Sequence, residues 1–128
     1  MLVYLNSDKI ITKIKHQNAL DNGKKLLGKY VTADVEKYID SKIPQNTVHT
    51  AGWMQNKSDW NNDSALYDMS KSFHEAYPNN NSVAEEECGK LFGLIIFERF
   101  LMDENEWYFV KTEDFGMRYF RKGDSNSK

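Results

Sequence analysis

The stretch from Ser82 to Asp103, SVAEEECGKLFGLIIFERFLMD, predicts one long helix around which the rest of the chain folds. Ser82 and Glu85 have the spacing of a capping box, in which each side chain binds a backbone N–H of the first turn. The acidic run that starts at Glu85 favours the same helix start, because negative charge stabilises the positive end of the helix dipole. The pattern therefore predicts that the helix begins close to Ser82.

The second half of this helix is apolar on every side. Its large apolar residues are Leu91, Phe92, Leu94, Ile95, Ile96, Phe97, Phe100, Leu101 and Met102. A helix that is apolar all round must be covered by several other elements. Glu98 and Arg99 interrupt the run, whereas a membrane span needs about 20 apolar residues. The sequence thus predicts a central buried helix over about residues 83–102, and no membrane association.

Shorter amphipathic segments surround this helix in the sequence. Helical spacing predicts helices over about 18–30, from Thr32 to Pro44, and from Asn62 or Asp63 to Pro78. Strand patterns cover 2–5, 107–112 and 117–122, the last two forming a hairpin, and a further strand is expected around 47–54. Residues 9–15 fit either a helix or the second strand of an N-terminal hairpin, and the hairpin is slightly favoured.

Together these elements predict an α+β fold. An antiparallel sheet forms from the N-terminal strands and the C-terminal hairpin, with three or four helices packed around the central helix. The length of 128 residues suits one domain, which we assign to residues 1–123, followed by a polar tail over 124–128. No internal repeat or change of composition marks a second domain.

Composition and charge restrict the class of protein. The formal net charge of −2 argues mildly against a nucleic-acid-binding protein, which usually has a basic excess. Cys88 is the only cysteine, so no intramolecular disulfide can form and a buried thiol is expected. The N-terminus has no apolar signal region, so we expect a cytoplasmic protein. Abundant Lys and Asn are typical of AT-rich genomes, including those of phages and mobile elements.

Three histidines are the first candidates for catalysis. Of these, His49 and His74, with Glu75 next to His74, would supply general acid–base chemistry if they met in the fold. No pair has the spacing of a known metal-binding motif, and packed or surface histidines are the simpler interpretation. We therefore predict no metal and no cofactor, and retain a small hydrolase or nuclease using these three residues as an alternative.

The string Gly23-Lys-Lys-Leu-Leu-Gly28-Lys29 matches the spacing of a phosphate-binding loop. Such a loop follows a buried strand and has Ser or Thr after the lysine, whereas here a polar helical segment precedes it and Tyr30 follows. The string is therefore interpreted as a lysine-rich helix face.

Two surfaces are candidates for binding a macromolecule. Trp53 and Trp60 lie in an irregular stretch, and tryptophan is enriched at binding hot spots, so they and the neighbouring Asp59 and Asn61 are predicted to contact a partner. The C-terminal hairpin interleaves aromatic and basic residues, a mixture that can stack bases and contact phosphates. Its basic residues are Lys111, Arg118, Arg121 and Lys122.

These patterns favour a non-enzymatic protein that binds another macromolecule, with a protein as the first choice of partner. An inhibitor, immunity protein or host-takeover protein of a phage or mobile element has this profile. The alternatives are a nucleic-acid-binding module, in which the hairpin contacts nucleic acid or a nucleotide, and the histidine-based enzyme. The sequence does not define the oligomeric state.

Overall fold

The computed structural model describes residues 1–50, 64–112 and 116–121, and these residues form an α+β fold as predicted. The strands are β1 (Leu2–Tyr4), β2 (Lys9–Ile11), β3 (Val48–Thr50), β4 (Trp107–Thr112) and β5 (Gly116–Arg121). The helices are α1 (Gln17–Leu27), α2 (Lys29–Lys42), α3 (Ser64–Ala76) and α4 (Asn81–Met102). A short 3-10 turn over Ile43–Gln45 leads from α2 towards β3.

The strands form one sheet in the order β2-β1-β4-β5-β3. Both predicted hairpins are confirmed, because β2 pairs antiparallel with β1 and β5 pairs antiparallel with β4. The sheet as a whole is mixed rather than antiparallel, since β1 and β4 run parallel. Parallel pairing requires a long crossover, and here β2, β3 and the described helices lie between the two strands in sequence.

One face of the sheet packs on α4. The ring of Phe100 stacks on Tyr119 of β5, with 4.1 Å between centroids, and meets the edge of Trp107 of β4 at 4.9 Å. Phe97 makes an edge contact with Phe109 at 5.3 Å. Side chains on both sides of α4 are buried, as the prediction of a central helix requires.

The N-terminus of α4 differs from the predicted capping box. The helix begins at Asn81, and the N-cap is Asn80, whose side chain accepts a hydrogen bond from the N–H of Val83 at 3.1 Å. Asn is among the strongest N-cap residues, and in this position it satisfies a free N–H of the first turn. Ser82 therefore lies inside the helix, one residue past its start.

The break between α1 and α2 also differs from the prediction. A helix to Tyr30 with a new cap at Thr32 is wrong, because α1 ends at Leu27 and α2 begins at Lys29. Gly28 separates them with φ of 83°, a left-handed conformation that glycine adopts without steric cost. Thr32 is buried instead, and its hydroxyl donates to the carbonyl of Lys24 at 3.3 Å.

Several predictions lie outside the described residues. These are the strand beyond residue 50, the caps Asn62 and Asp63, and the tail at 124–128. Among the helices described here, none has the length and hydropathy to cross a membrane.

Candidate functional site

A groove opens on the helical side of the molecule, where α1, α3 and α4 meet. It has a volume of about 560 Å³, within the range of ligand-binding pockets. We call it the helical groove. Its apolar lining comes from Ala19, Leu26, Phe73, Tyr77, Leu91 and Leu94. Leu26 is 39% exposed, so the groove presents a large apolar side chain to water.

The lining residues recur every three or four positions along α1 and α4. On α1 the sequence is Ala19, Gly23, Leu26, and on α4 it is Glu87, Leu91, Leu94. Residues at this spacing share one helix face. Each helix therefore contributes a continuous face over two turns, about 10 Å long at 1.5 Å per residue.

Gly23 brings these two faces together. A Cβ atom at this position would lie 2.4 Å from Cδ1 and 2.7 Å from Cδ2 of Leu91, closer than real contacts allow. Leu91 is 3% exposed, so its side chain has little room to move. The missing side chain thus permits the close approach of α1 to α4 beneath the helical groove.

On the α4 side, Glu87 and Lys90 line the helical groove, and Glu86 precedes them on the same helix. The Lys90 ammonium lies 3.3 Å from Glu86 and 3.7 Å from Glu87, so one cation forms ion pairs with two carboxylates. The hydrogen bond to Glu86 and the charges of both carboxylates raise the pKa of Lys90. These side chains are well exposed and free to reorient towards an incoming charged group.

A network of five charged side chains fixes α1 and α2 against α4. Lys24 binds Glu98 at 2.5 Å and Glu36 at 3.2 Å. Arg99 binds Asp40 through two hydrogen bonds of 2.9 and 2.8 Å and lies 3.5 Å from Glu36. Partial burial lowers the pKa of Lys24, but the hydrogen bonds to both carboxylates outweigh it, so the net shift is upward.

The candidate catalytic residues lie in different parts of the molecule. His49 on β3 is 3% exposed, and its ring lies 5.5 Å from that of Phe100, between centroids. His74 is a half-buried residue of α3, and Glu75 beside it is exposed. The part of α3 that contains His74 lines the helical groove, as does Leu91 of α4. Leu91 lies nine residues before Phe100, which is about 13 Å along the helix. The structure therefore separates His49 from His74.

The thiol of Cys88 lies in the core, as expected. Burial raises the pKa of this thiol to about 12, so it stays protonated at neutral pH. Among the described residues, no three His, Cys, Asp or Glu side chains are grouped to hold a metal ion.

The basic hairpin has one face in the core. Trp107, Phe109 and Tyr119 are buried beneath α4, so they are not available to stack on bases. Arg121 is half-buried, with its guanidinium 5.5 Å from the ring of Trp107, and Arg118 is half-buried as well. Lys111 is exposed, whereas Lys122 lies outside the described residues.

The predicted tryptophan surface falls in a part of the chain that the structure does not describe. Trp53, Asp59, Trp60 and Asn61 all lie within residues 51–63. Their role in binding stays a prediction.

Sequence reasoning missed the helical groove because three separate helices build it. One signal is present in the sequence, because Gly23 lies at helical spacing from Ala19 and Leu27 and a glycine within a helix can have a packing reason. The sequence did not show that Leu91 would be the residue packed against Gly23.

Comparison of the chain with known protein families, curated proteins and solved structures gives no match. Its function must therefore be inferred from the geometry and chemistry of its own residues.

Proposed function

We propose that this protein is a non-enzymatic binding protein whose helical groove receives an amphipathic helix of a partner protein. The observation that carries the proposal is the groove itself, an apolar cleft between helices with an exposed leucine at its edge. Apolar surface exposed in a cleft is stabilised when a partner covers it.

The dimensions of the helical groove favour a helix as the occupant. Two faces of about two turns each flank the cleft, and residues at i, i+3 or i+4, and i+7 of a partner helix span the same length. At the floor, Gly23 lets α1 approach α4 closely, and the side chain of Leu91 occupies the space that a Cβ atom would take. A helix of two to three turns would thus place one apolar face in the cleft.

Charge complementarity specifies the residues that flank this apolar face. Glu86 and Glu87 share the single ammonium of Lys90, which leaves one negative charge uncompensated. A partner helix with lysine or arginine beside its apolar face would pair with these carboxylates. Rim charges of this kind mainly increase the association rate and the specificity.

The chemistry of the remaining candidates also supports a binding function. The thiol of Cys88 and the imidazole of His49 are both enclosed in the core, where a substrate would not reach them. Inhibitor, immunity and host-takeover proteins are the classes of binding protein that fit a small chain of this type. Nucleic-acid binding by the basic residues of the C-terminal hairpin remains the alternative.

Selection from a displayed library of random 16-residue peptides tests the proposal. The protein and its Leu26→Glu variant serve as bait and counter-bait, and Tyr67→Glu is the matched control because Tyr67 is 55% exposed and outside the cleft. We expect enriched peptides with apolar residues at helical spacing and adjacent basic residues. Their affinity should fall at least tenfold for Leu26→Glu and stay unchanged for Tyr67→Glu.

Two results would contradict the proposal. One is a set of selected peptides that bind Leu26→Glu as tightly as the unmodified protein. The other is a failure to enrich any peptide that distinguishes the two. Selected peptides that bind Leu26→Glu more weakly but have apolar residues at every second position would support the groove as the binding site. They would exclude a helix as its occupant.

A further inference from the structure

Strand β2 stands at one end of the sheet that the described residues form, next to β1. Ile10 at its centre is 56% exposed, and Lys9 before it is exposed as well. The exposure extends along the chain on both sides, over residues 6–10, 12, 13 and 15–19. The outer side of β2 is therefore open to water.

The backbone hydrogen bonds of β1 determine which groups of β2 point outwards. The carbonyl of Met1 accepts a hydrogen bond from β4 at 2.8 Å, and the N–H of Leu5 donates one to β4 at 3.0 Å. Backbone groups of successive residues point to opposite sides of a strand. Leu2 and Tyr4, which lie at the alternate positions, therefore direct their N–H and C=O groups towards β2.

The residue of β2 that points away from β1 is Ile10. Its neighbours Lys9 and Ile11 are in register with Tyr4 and Leu2, so these two pairs exchange the hydrogen bonds of the hairpin. The N–H and C=O of Ile10 are consequently directed to the outer side of the sheet. A residue placed opposite Ile10 in an added antiparallel strand can exchange two hydrogen bonds with it, which is the pattern of β-strand addition.

The charge along this edge favours an acidic segment as the added strand. Between residues 6 and 16 the chain has three lysines, Lys9, Lys13 and Lys15, and a single carboxylate, Asp8. All four side chains are exposed. The ion pairs found in the described parts of the chain involve other cations, namely Lys24, Lys90 and Arg99. The three edge lysines thus remain available to carboxylates of a partner.

The same lysines argue against a second copy of this chain as the added strand. Two β2 strands paired edge to edge would bring lysines of both copies together, and like charges opposite each other destabilise a strand pair. Lysine on an edge strand is one of the devices that prevent such self-association. Carboxylates at the corresponding positions of a partner would replace this repulsion by attraction.

A nucleic acid would satisfy the lysines but not the rest of the edge. Its phosphates have no N–H group to donate to the carbonyl of Ile10, and they offer no apolar contact to the exposed Ile10 side chain. An extended peptide provides both, because its backbone supplies a donor and an acceptor and its side chains lie beside those of β2.

We propose that β2 is a second binding surface, at which an extended acidic segment of a partner protein adds to the sheet as a further strand beside Ile10. Main-chain hydrogen bonds to Ile10 fix the register of this segment, and its carboxylates pair with Lys9 and Lys13. The surface is independent of the helical groove, because no residue of β2 lines the groove.

Titration of the isotope-labelled protein with a capped seven-residue peptide of alternating glutamate and valine tests this edge. We expect a Kd of about 0.1–1 mM, because a short edge offers few main-chain hydrogen bonds. The Ile10 amide should show the largest chemical-shift change and exchange more slowly with water, since its N–H becomes a donor to the peptide. The Arg121 amide, which donates to Thr47 beside β3, should not change.

A pair of double variants tests the contribution of charge. Lys9→Gln combined with Lys13→Gln removes two cations of the edge and should weaken binding of the peptide at least about fivefold. Lys25→Gln combined with Lys37→Gln is the matched control, because it removes two exposed lysines from α1 and α2 and changes the net charge equally. The control should alter the affinity by less than about twofold.

Four results would overturn the proposal. One is the absence of any change at Ile10 with the acidic peptide at several millimolar. Another is equal binding of the same peptide methylated at every backbone nitrogen, which keeps the charge but cannot donate hydrogen bonds. The third is equal binding of a peptide of alternating lysine and valine. The last is a thymidine 12-mer that shifts Ile10 at a lower concentration than the peptide, which would assign the lysines to nucleic acid.

Discussion

At the scale of single residues, Gly23 has the most specific packing role. Replacement by alanine puts a methyl group where Leu91 already lies, and overpacking of this kind costs about 1–3 kcal/mol. Alanine also improves helix propensity by about 1 kcal/mol. We expect Gly23→Ala to lower the free energy of unfolding by about 1 kcal/mol, measured by urea denaturation.

Gly93 provides the matched control for this substitution. It lies within α4 and is exposed, and apart from its chain neighbours and the surrounding helix backbone no heavy atom lies within 4 Å of the position a Cβ would occupy. Gly93→Ala should therefore raise the free energy of unfolding by up to about 1 kcal/mol. Equal effects of the two substitutions would show that Gly23 has no packing role.

Lys24 is the second residue with a specific prediction. Lys24→Met removes the cation between Glu36 and Glu98, and we expect it to cost about 1 kcal/mol at pH 7. Because the pKa of Lys24 is raised in the folded state, its contribution is complete below about 10.5 and is lost as the pH rises above that value.

Unfolding measured at pH 7 and pH 11 checks this sign. The difference between the unmodified protein and Lys24→Met should shrink at pH 11. Lys25→Met, at the exposed neighbouring position, should have an effect within about 0.5 kcal/mol at both pH values. A deficit of Lys24→Met that grows with pH would exclude the ion pairs as its cause.

At the scale of elements, the start of α4 distinguishes two possible caps. The structure places the cap at Asn80, whereas the sequence pattern favoured Ser82. Loss of an N-cap side chain costs about 0.5–2 kcal/mol. Asn80→Ala should therefore destabilise the protein by about 1 kcal/mol in thermal or urea unfolding, and Ser82→Ala by less than 0.5 kcal/mol. A larger destabilisation by Ser82→Ala than by Asn80→Ala would instead support the predicted capping box.

The elements that could be predicted from sequence are those with a strong local pattern. The helix around Leu91 and the hairpin at Trp107 have long apolar signals, and the structure contains both. The break at Gly28 was missed because helical spacing continues on either side of it. Thr32 had the chemistry of a cap, but its hydroxyl bonds to the preceding helix instead.

At the scale of the whole molecule, the features that sequence reasoning did not provide are non-local. The parallel pairing of β1 with β4 joins residues about a hundred positions apart, as in the register of Leu2 with Trp107. Likewise, the helical groove exists only once Ala19, Phe73 and Leu94 are brought together by three helices. No periodicity within one element contains that information.

The charged residues show the same dependence on tertiary structure. The basic residues of the C-terminal hairpin are interleaved with aromatic ones in sequence, a mixture that can stack bases and contact phosphates. In the fold, Trp107 and Tyr119 are used by the core, and Arg121 lies against the ring of Trp107. The packing of α4 decides which aromatic side chains stay available for a ligand. The sequence of the hairpin alone does not contain this information.

Binding of a partner helix in the helical groove can be tested directly. The most direct measurement is an amide chemical-shift map of the isotope-labelled protein with a selected 16-residue peptide, using a scrambled peptide as the control. We expect the largest shifts on Ala19, Asn22, Leu26 and Lys90, which line the helical groove, and none with the scrambled peptide. Largest shifts on β2 or on the C-terminal hairpin would contradict it.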